Sequence, residues 1–290
     1  MNARAQMLAQ FDSLSPKLQV AARFAVDHPN EVVIASMRAL AERAGAQPAT
    51  LVRLAQQLGY AGWPELKSAF ADDLGLNGER YGERARNLAA RSQSTDLLGE
   101  MFIAQQRNLA STEALCTGAL RDAARLLAGA RAVHVAGFRA SFPIAYSLVY
   151  GYRLFRNSVH LIDGQGGLEM QMRPIEQGDV VVAISFAPYS SECMDVIKAA
   201  RNAGASILAM TDSNASPLAL AANATLLFSI DSPSFFPSVA AAVAVTEALL
   251  ELLVANGGDQ VAARIGNAEK RLLESGAYLP PSAKRRSHKD

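Results

Sequence analysis

Hydrophobic and polar positions follow two different rhythms along the chain. Up to about residue 70 the apolar residues recur at helical spacing, as in Leu18, Ala21, Ala22, Phe24 and Ala25. "DHPN" at 27–30 interrupts, because Pro29 drives the residue before it out of the helical region. Short helices are predicted from Ser36 to Arg43, from Pro48 to Leu58 and from Gly62 to about Leu74. Residues 75–95, "GLNGERYGERARNLAARSQST", are polar with three Gly and read as a boundary holding at most a charged helix. A long amphipathic helix is predicted from Asp96 to Leu127, with a break near Gly118.

The rhythm then changes. "RAVHVAG" (131–137), "NSVHLIDG" (157–164), "DVVVAIS" (179–185), "ASILAMTD" (205–212) and "ATLLFSI" (224–230) are short β-rich runs with helical segments between them. Near-continuous apolar strands alternating with helices predict a parallel sheet covered on both faces. Two helices, about 237–255 and 258–274, close the pattern. The tail "PPSAKRRSHKD" is proline-led and basic, and is expected to be disordered. The predicted organisation is a helical domain over 1–75, a linker and helix over 76–110, an α/β domain over 111–275 and the tail from 276 to 290. No internal repeat is visible.

Composition narrows this picture. The chain has 290 residues, 50% of them hydrophobic, enough for two cores. Its net charge of +1 provides no global positive field, so any nucleic-acid contact must come from a local patch. Cys116 and Cys193 are far apart and form no CxxC, and the four His have no metal-ligand spacing. No metal or cofactor is expected. The most membrane-like run starts at Val239, but Glu247 and Glu251 interrupt it. No signal peptide is apparent, so the expectation is a cytoplasmic protein without a membrane span.

The helical domain carries the first candidate chemistry. Ala39 to Leu58 reads as helix, tight turn at Gly45, helix, with Leu40 and Ala41 able to pack on Leu51 and Leu54. Pro48 suits the first turn of the second helix. Gln47, Ala49, Thr50 and Arg53 are then the exposed residues at its start, where a recognition helix presents base- and phosphate-reading groups. An exposed Lys67 could touch phosphate or be idle.

At these residues the chain resembles a known family. "LAERAGAQPATLVRLAQQLGYAGWPELK" is similar to the N-terminal helix-turn-helix of the RpiR (MurR/RpiR) bacterial transcriptional regulators. Leu40, Ala41, Ala44, Gly45, Ala49, Thr50, Arg53, Leu58, Gly59, Tyr60, Gly62, Trp63 and Lys67 match that family's pattern. The resemblance implies an all-α helix-turn-helix domain that binds a double-stranded DNA operator through Gln47, Pro48, Ala49, Thr50, Arg53 and Lys67. Gly59, Tyr60 and Trp63 read as turn and packing residues. One departure is Gln47, where the family usually has a Ser that would cap the helix.

The second half, about 115–255, resembles the SIS (sugar isomerase) domain, a flavodoxin-like α/β fold with a five-stranded parallel sheet. "AARNAGASILAMTDSNASPLALAANATLLFS" carries that likeness through Ala199, Gly204, Thr211, Ser216, Pro217 and Leu218. The ligand loops depart from the usual pattern. In the first, Arg139 replaces a Gly while Gly137 and Ser141 remain. In the second, Ala187 and Pro188 replace a Ser-Gly pair while Ser185, Tyr189 and Ser190 supply hydroxyls. Gly137, Arg139, Ser141, Ser185, Tyr189 and Ser190 are therefore the expected effector-binding residues, with Ser141 capping the helix after the first loop. The implied effector is a small anionic metabolite, a phosphosugar or a carboxylate, held partly by Arg139. The alternative for Arg139 is solvent or pairing with a nearby acid.

Weaker signals remain. Cys193, in a first helical turn, is weighed as a redox thiolate against a small buried side chain. His134 and His160 read as core residues. "AVAVTEALLELLVA" (242–255) is apolar on most of its circumference and is assigned to a subunit interface rather than core, giving a homodimer or homotetramer to match a two-fold operator. The reading is of an effector-controlled regulator and not an enzyme. The rival is a sugar-phosphate isomerase with an accessory helical domain, for which Glu169, Glu176 and His160 are the available acid/base residues.

Overall fold

The computed structural model describes residues 3–73, 81–91 and 96–278. Six helices make the first domain: α1 (Ala3–Gln10), α2 (Pro16–Asp27), α3 (Pro29–Ile34), α4 (Met37–Arg43), α5 (Pro48–Gln57) and α6 (Trp63–Asp73). Their shared core is Met7, Leu18, Ala22, Leu40, Leu51, Leu54, Trp63, Leu66 and Phe70. Local signals set the boundaries. The Ser36 hydroxyl accepts from the Ala39 N–H and caps α4. α4 ends in Gly45 at φ 61°, with Gly45 N–H bonded to the Glu42 carbonyl and Ala46 N–H to the Ala41 carbonyl. α5 ends in the same way at Gly59, φ 91°. These are paired C-terminal closures, in which glycine takes the left-handed residue without a Cβ clash.

A charged helix, α7 (Tyr81–Arg91), does lie in the boundary segment. Arg84 donates to the Ser232 carbonyl at 2.6 Å, and the Tyr81 ring packs on Phe236, which ties α7 to the α/β domain. α8 (Leu97–Gly129) runs across residues 110 and 111 without interruption. The expected break at Gly118 is absent. An exposed glycine inside a helix costs only about 1 kcal/mol relative to Ala. Burial of Cys116, Leu120, Ala123, Ala124 and Leu127 along one face of α8 outweighs that cost.

The α/β domain follows as β1 (Val133–Gly137), α9 (Phe142–Arg153), β2 (Val159–Ile162), α10 (Leu168–Met172), β3 (Val180–Ile184), α11 (Ser191–Asn202), β4 (Ser206–Thr211), β5 (Ala224–Leu227) and α12 (Ala240–Glu274). The five strands are parallel in the order β2-β1-β3-β4-β5, so the predicted flavodoxin-like sheet is present. Val180, Val182, Ile184, Leu208 and Met210 face α8, α9 and α12, while Val181, Ala183, Ile207 and Ala209 face α11. Burial on both faces is why these strands read as unbroken apolar runs.

α12 leaves helical geometry at Gly258 (φ 58°, ψ −155°), where the sequence pattern separates its two closing helices. By length and composition α12 could cross a membrane. Its first half, however, buries Ala241, Ala242, Val245, Thr246, Leu249 and Leu253 in the domain. That face of "AVAVTEALLELLVA" is therefore core, a correction to its assignment as interface alone. The basic tail lies outside the described residues.

Candidate DNA-reading face and effector cleft

α5 presents the expected face. Leu51, Leu54 and Ala55 point into the core; Gln47, Ala49, Arg53, Gln56 and Gln57 are exposed, and Thr50 is half-buried. Pro48 is at the first helical position. Gln47 has the extended backbone of a capping residue, φ −100° and ψ 151°, yet its side chain makes no capping bond. Only its carbonyl engages, accepting from Thr50 N–H at 2.8 Å. Lys67 lies apart from this row. Its ammonium donates to the Ala35 carbonyl at 3.0 Å and joins α6 to the end of α3; desolvation lowers its pKa. Tyr60 donates to the Gln6 carbonyl oxygen of the side chain at 3.0 Å and Trp63 is buried, so both serve packing.

In the α/β domain the loops after β1 and β3 emerge side by side, because these two strands are neighbours in the sheet. This is the reversal of strand order at which open α/β sheets form a ligand crevice. Gly137 ends β1. A Cβ there would sit 2.6 Å from the Ala145 Cβ and 2.8 Å from the Ser141 carbonyl oxygen, so glycine lets α9 approach the strand. Ser141 is buried in a single 3-10 turn, Arg139–Ser141. It makes no capping bond to α9, in correction of the expected role: its backbone is already helical (φ −84°, ψ −13°), whereas a capping residue is extended. Arg139 has φ 52°, the one non-glycine with positive φ among the described residues.

The second loop is cross-braced. The Ser185 hydroxyl accepts from Ser190 N–H at 3.1 Å. Tyr189 donates its phenol proton to Asp212 Oδ1 at 2.9 Å. Burial and the Asp212 carboxylate raise the Tyr189 pKa, so the phenol stays protonated. Ser190 caps α11 by accepting from Cys193 N–H at 3.3 Å. Its hydroxyl also donates to Glu192 Oε2 at 2.8 Å, as does that of Ser191 at 3.1 Å. Arg139, 68% exposed, pairs with Glu192 Oε1 at 2.5 Å. Of the two alternatives for Arg139, the structure shows the pairing with an acid. Glu192 is the residue that sequence reasoning missed; the signal was an acidic residue just after the capping serine. Its pKa is lowered by its own backbone N–H, then by the Ser190 hydroxyl, with the Arg139 charge contributing.

Cys193 is fully buried and desolvation pushes its thiol up to about 12, which leaves no redox thiolate. The isomerase residues are not gathered. His160 stacks on His134 early in β2 and β1, and Glu176 pairs with Arg131 at the amino end of β3. Glu169 sits in α10, which follows the carboxyl end of β2. Among the described residues, no cluster of three or more His, Cys, Asp or Glu is placed to hold a metal.

The architecture thus defines a class: a helix-turn-helix domain followed by a flavodoxin-like domain with two adjacent loops at the carboxyl ends of β1 and β3. Residues 1–76 match the helix-turn-helix domain of the rpiR family, and residues 126–252 match the SIS domain. The chain carries the two-domain architecture of the RpiR family, as the resemblance implied.

Solved structures agree at the level of fold. The NanR protein of Vibrio vulnificus, complexed with ManNAc-6P, superposes with a TM-score of 0.59 at 19% identity, over 96% of this chain and 100% of that one. The sugar isomerase domain of an RpiR transcription factor from Sphaerobacter thermophilus gives 0.58 at 21% identity, over 61% of this chain and 99% of that one. Among curated proteins, the bifunctional protein glk of Burkholderia orbicola is 27% identical over 226 residues, 74% of this chain. The chain spans about a third of the length of that relative, 33%.

Proposed function

We propose that the protein is a DNA-binding transcriptional regulator whose operator affinity is set by a small anionic metabolite in the SIS cleft. The observation that carries this reading is the row Gln47, Ala49 and Arg53, exposed at the start of a helix, with Thr50 half-buried beside them and the opposite side of the helix locked into the core. Arg53 can grip guanine or phosphate at two points, and Gln47 and Thr50 can accept or donate at base edges. Lys67, committed to Ala35, adds at most a phosphate contact beside that row. A two-fold operator requires two copies of α5, so the active species is a homodimer or homotetramer working in the cytoplasm. The SIS cleft, lined by Gly137, Arg139, Ser141, Ser185, Tyr189 and Ser190, takes a phosphosugar or carboxylate, and NanR bound to ManNAc-6P supports that ligand class.

Effector binding shifts the relation between the two copies and hence the spacing of their α5 helices, a coupling that works in both directions. The scattered positions of Glu169, Glu176 and His160 favour sensing over isomerisation. The test is retention of sheared genomic DNA by the purified protein across a salt series, with and without sugar phosphates and sugar acids. Retention should fall steeply with salt and change with one class of metabolite. Retention that neither salt nor any metabolite alters would sink the proposal.

A further inference from the structure

One carboxylate joins the two loops of the cleft. Glu192 lies in the first turn of α11, with Oε1 on the Arg139 guanidinium and Oε2 on the hydroxyls of Ser190 and Ser191. Arg139 comes from the loop after β1 and the two serines from the start of α11, so the contacts span the cleft from both sides. A guanidinium, two hydroxyls and a helix N-terminus are the donors with which a protein receives a phosphate or a carboxylate. Here they already hold an anion, and that anion belongs to the chain itself.

We propose that Glu192 is a built-in competitor for the effector: an anionic ligand engages Arg139, Ser190 and Ser191 by displacing the Glu192 carboxylate. The proposal rests on the reading of the SIS cleft as the effector site. The surroundings allow this exchange while the loop stays in place. The second loop is fixed by Ser185 on Ser190 N–H and by Tyr189 on Asp212, and Gly137 packs tightly under the first. Glu192 and Arg139, by contrast, are 31% and 68% exposed, so rotation of two side chains opens the donors without moving backbone.

Displacement sets the chemical class of the ligand. A single carboxylate offers nothing that Glu192 does not already supply at high local concentration. A dianion, such as a phosphate monoester or a dicarboxylate, brings the second charge needed to outcompete it. Arg139 in its left-handed conformation is part of the same device. A glycine would relax that backbone, which is strained for a residue with a Cβ, but would remove the cation that both anions share.

The test is calorimetric titration of the full chain with inorganic phosphate, using wild type, Glu192→Gln, Glu192→Asp and Arg139→Ala. Thermal melts verify that each variant is folded. Glu192→Gln keeps the shape and removes the charge, and should bind phosphate about tenfold tighter than wild type, the scale of one displaced charge-assisted contact. Glu192→Asp retains the charge but withdraws it from Arg139, and should fall between. Arg139→Ala should lose binding. Equal affinity in wild type and Glu192→Gln, with binding still lost in Arg139→Ala, would overturn the competitor while leaving the anion site intact. Phosphate binding absent from every variant, or indifferent to Arg139, would overturn both.

Discussion

At the scale of single residues, the two domains use their charged groups differently. Arg53 is exposed on α5, whereas Asp179 is buried and holds the amino end of the sheet together. Its buried carboxylate accepts from Arg131 at 3.0 Å, from the Ala132 and Glu176 N–H groups at 3.1 and 2.9 Å, and meets His134 Nε2 at 3.1 Å. Desolvation pushes its pKa up, but the bonds from Glu176, Arg131 and His134 outweigh it, and the net shift is downward. A carboxylate with a depressed folded-state pKa contributes stability above its unfolded value and loses it as pH falls through its folded value. Urea unfolding should therefore show this contribution complete at pH 7 and fading below the ordinary carboxylate range. Asp179→Ala should destabilise the α/β domain by about 3 kcal/mol at neutral pH, because it strands several buried donors. Removal of one exposed charge such as Arg53 should leave the unfolding curve within about 0.5 kcal/mol of wild type.

At the scale of elements, what could be read in the sequence depended on whether the cause was local. The strands announced themselves because both faces of the sheet are buried. The turns at Gly45 and Gly59 followed from glycine at helix ends. The change of direction at Gly258 matched the spacing between two apolar runs, but Gly118 did not break α8, since packing on α12 and β5 decides that helix and a single glycine cannot veto it. An acid partner for Arg139 could be anticipated, but its identity as Glu192 could not, because the two lie far apart in sequence and meet only through the adjacency of β1 and β3. α1 went unmarked too: its buried Ala3 and Met7 are few, and its Gln6 finds its carbonyl partner, Leu58, across the domain.

Two substitutions test these elements. Gly118→Ala meets nothing within 4 Å of the added Cβ and should stabilise the protein by about 1 kcal/mol in denaturant titration. Destabilisation would mean that glycine is required there. Gln47→Ser places a capping hydroxyl on a backbone already extended for it, and should stabilise the helical domain by about 1 kcal/mol. No gain on unfolding would mean that the start of α5 is already satisfied in another way.

At the scale of the whole molecule, the chain joins a helix-turn-helix reader to an SIS sensor. The reader is complete in one chain, but an operator with two-fold symmetry needs two. α8 exposes Leu98, Phe102, Ile103, Leu109 and Leu115, an apolar surface that assembly would cover. Fold resemblance fixes the sensor's architecture, while the altered loop residues Arg139, Ala187 and Pro188, at the proposed effector site, lie beyond what a family pattern conveys.

The most direct test of the central claim is sequencing of the genomic fragments that the purified protein retains at about physiological salt, for wild type and Arg53→Ala. The account predicts an inverted repeat enriched by wild type and lost by Arg53→Ala, while the variant melts as wild type does. Fragments without a shared motif, or the same motif enriched equally by the variant, would contradict the assignment of α5 as the reading helix.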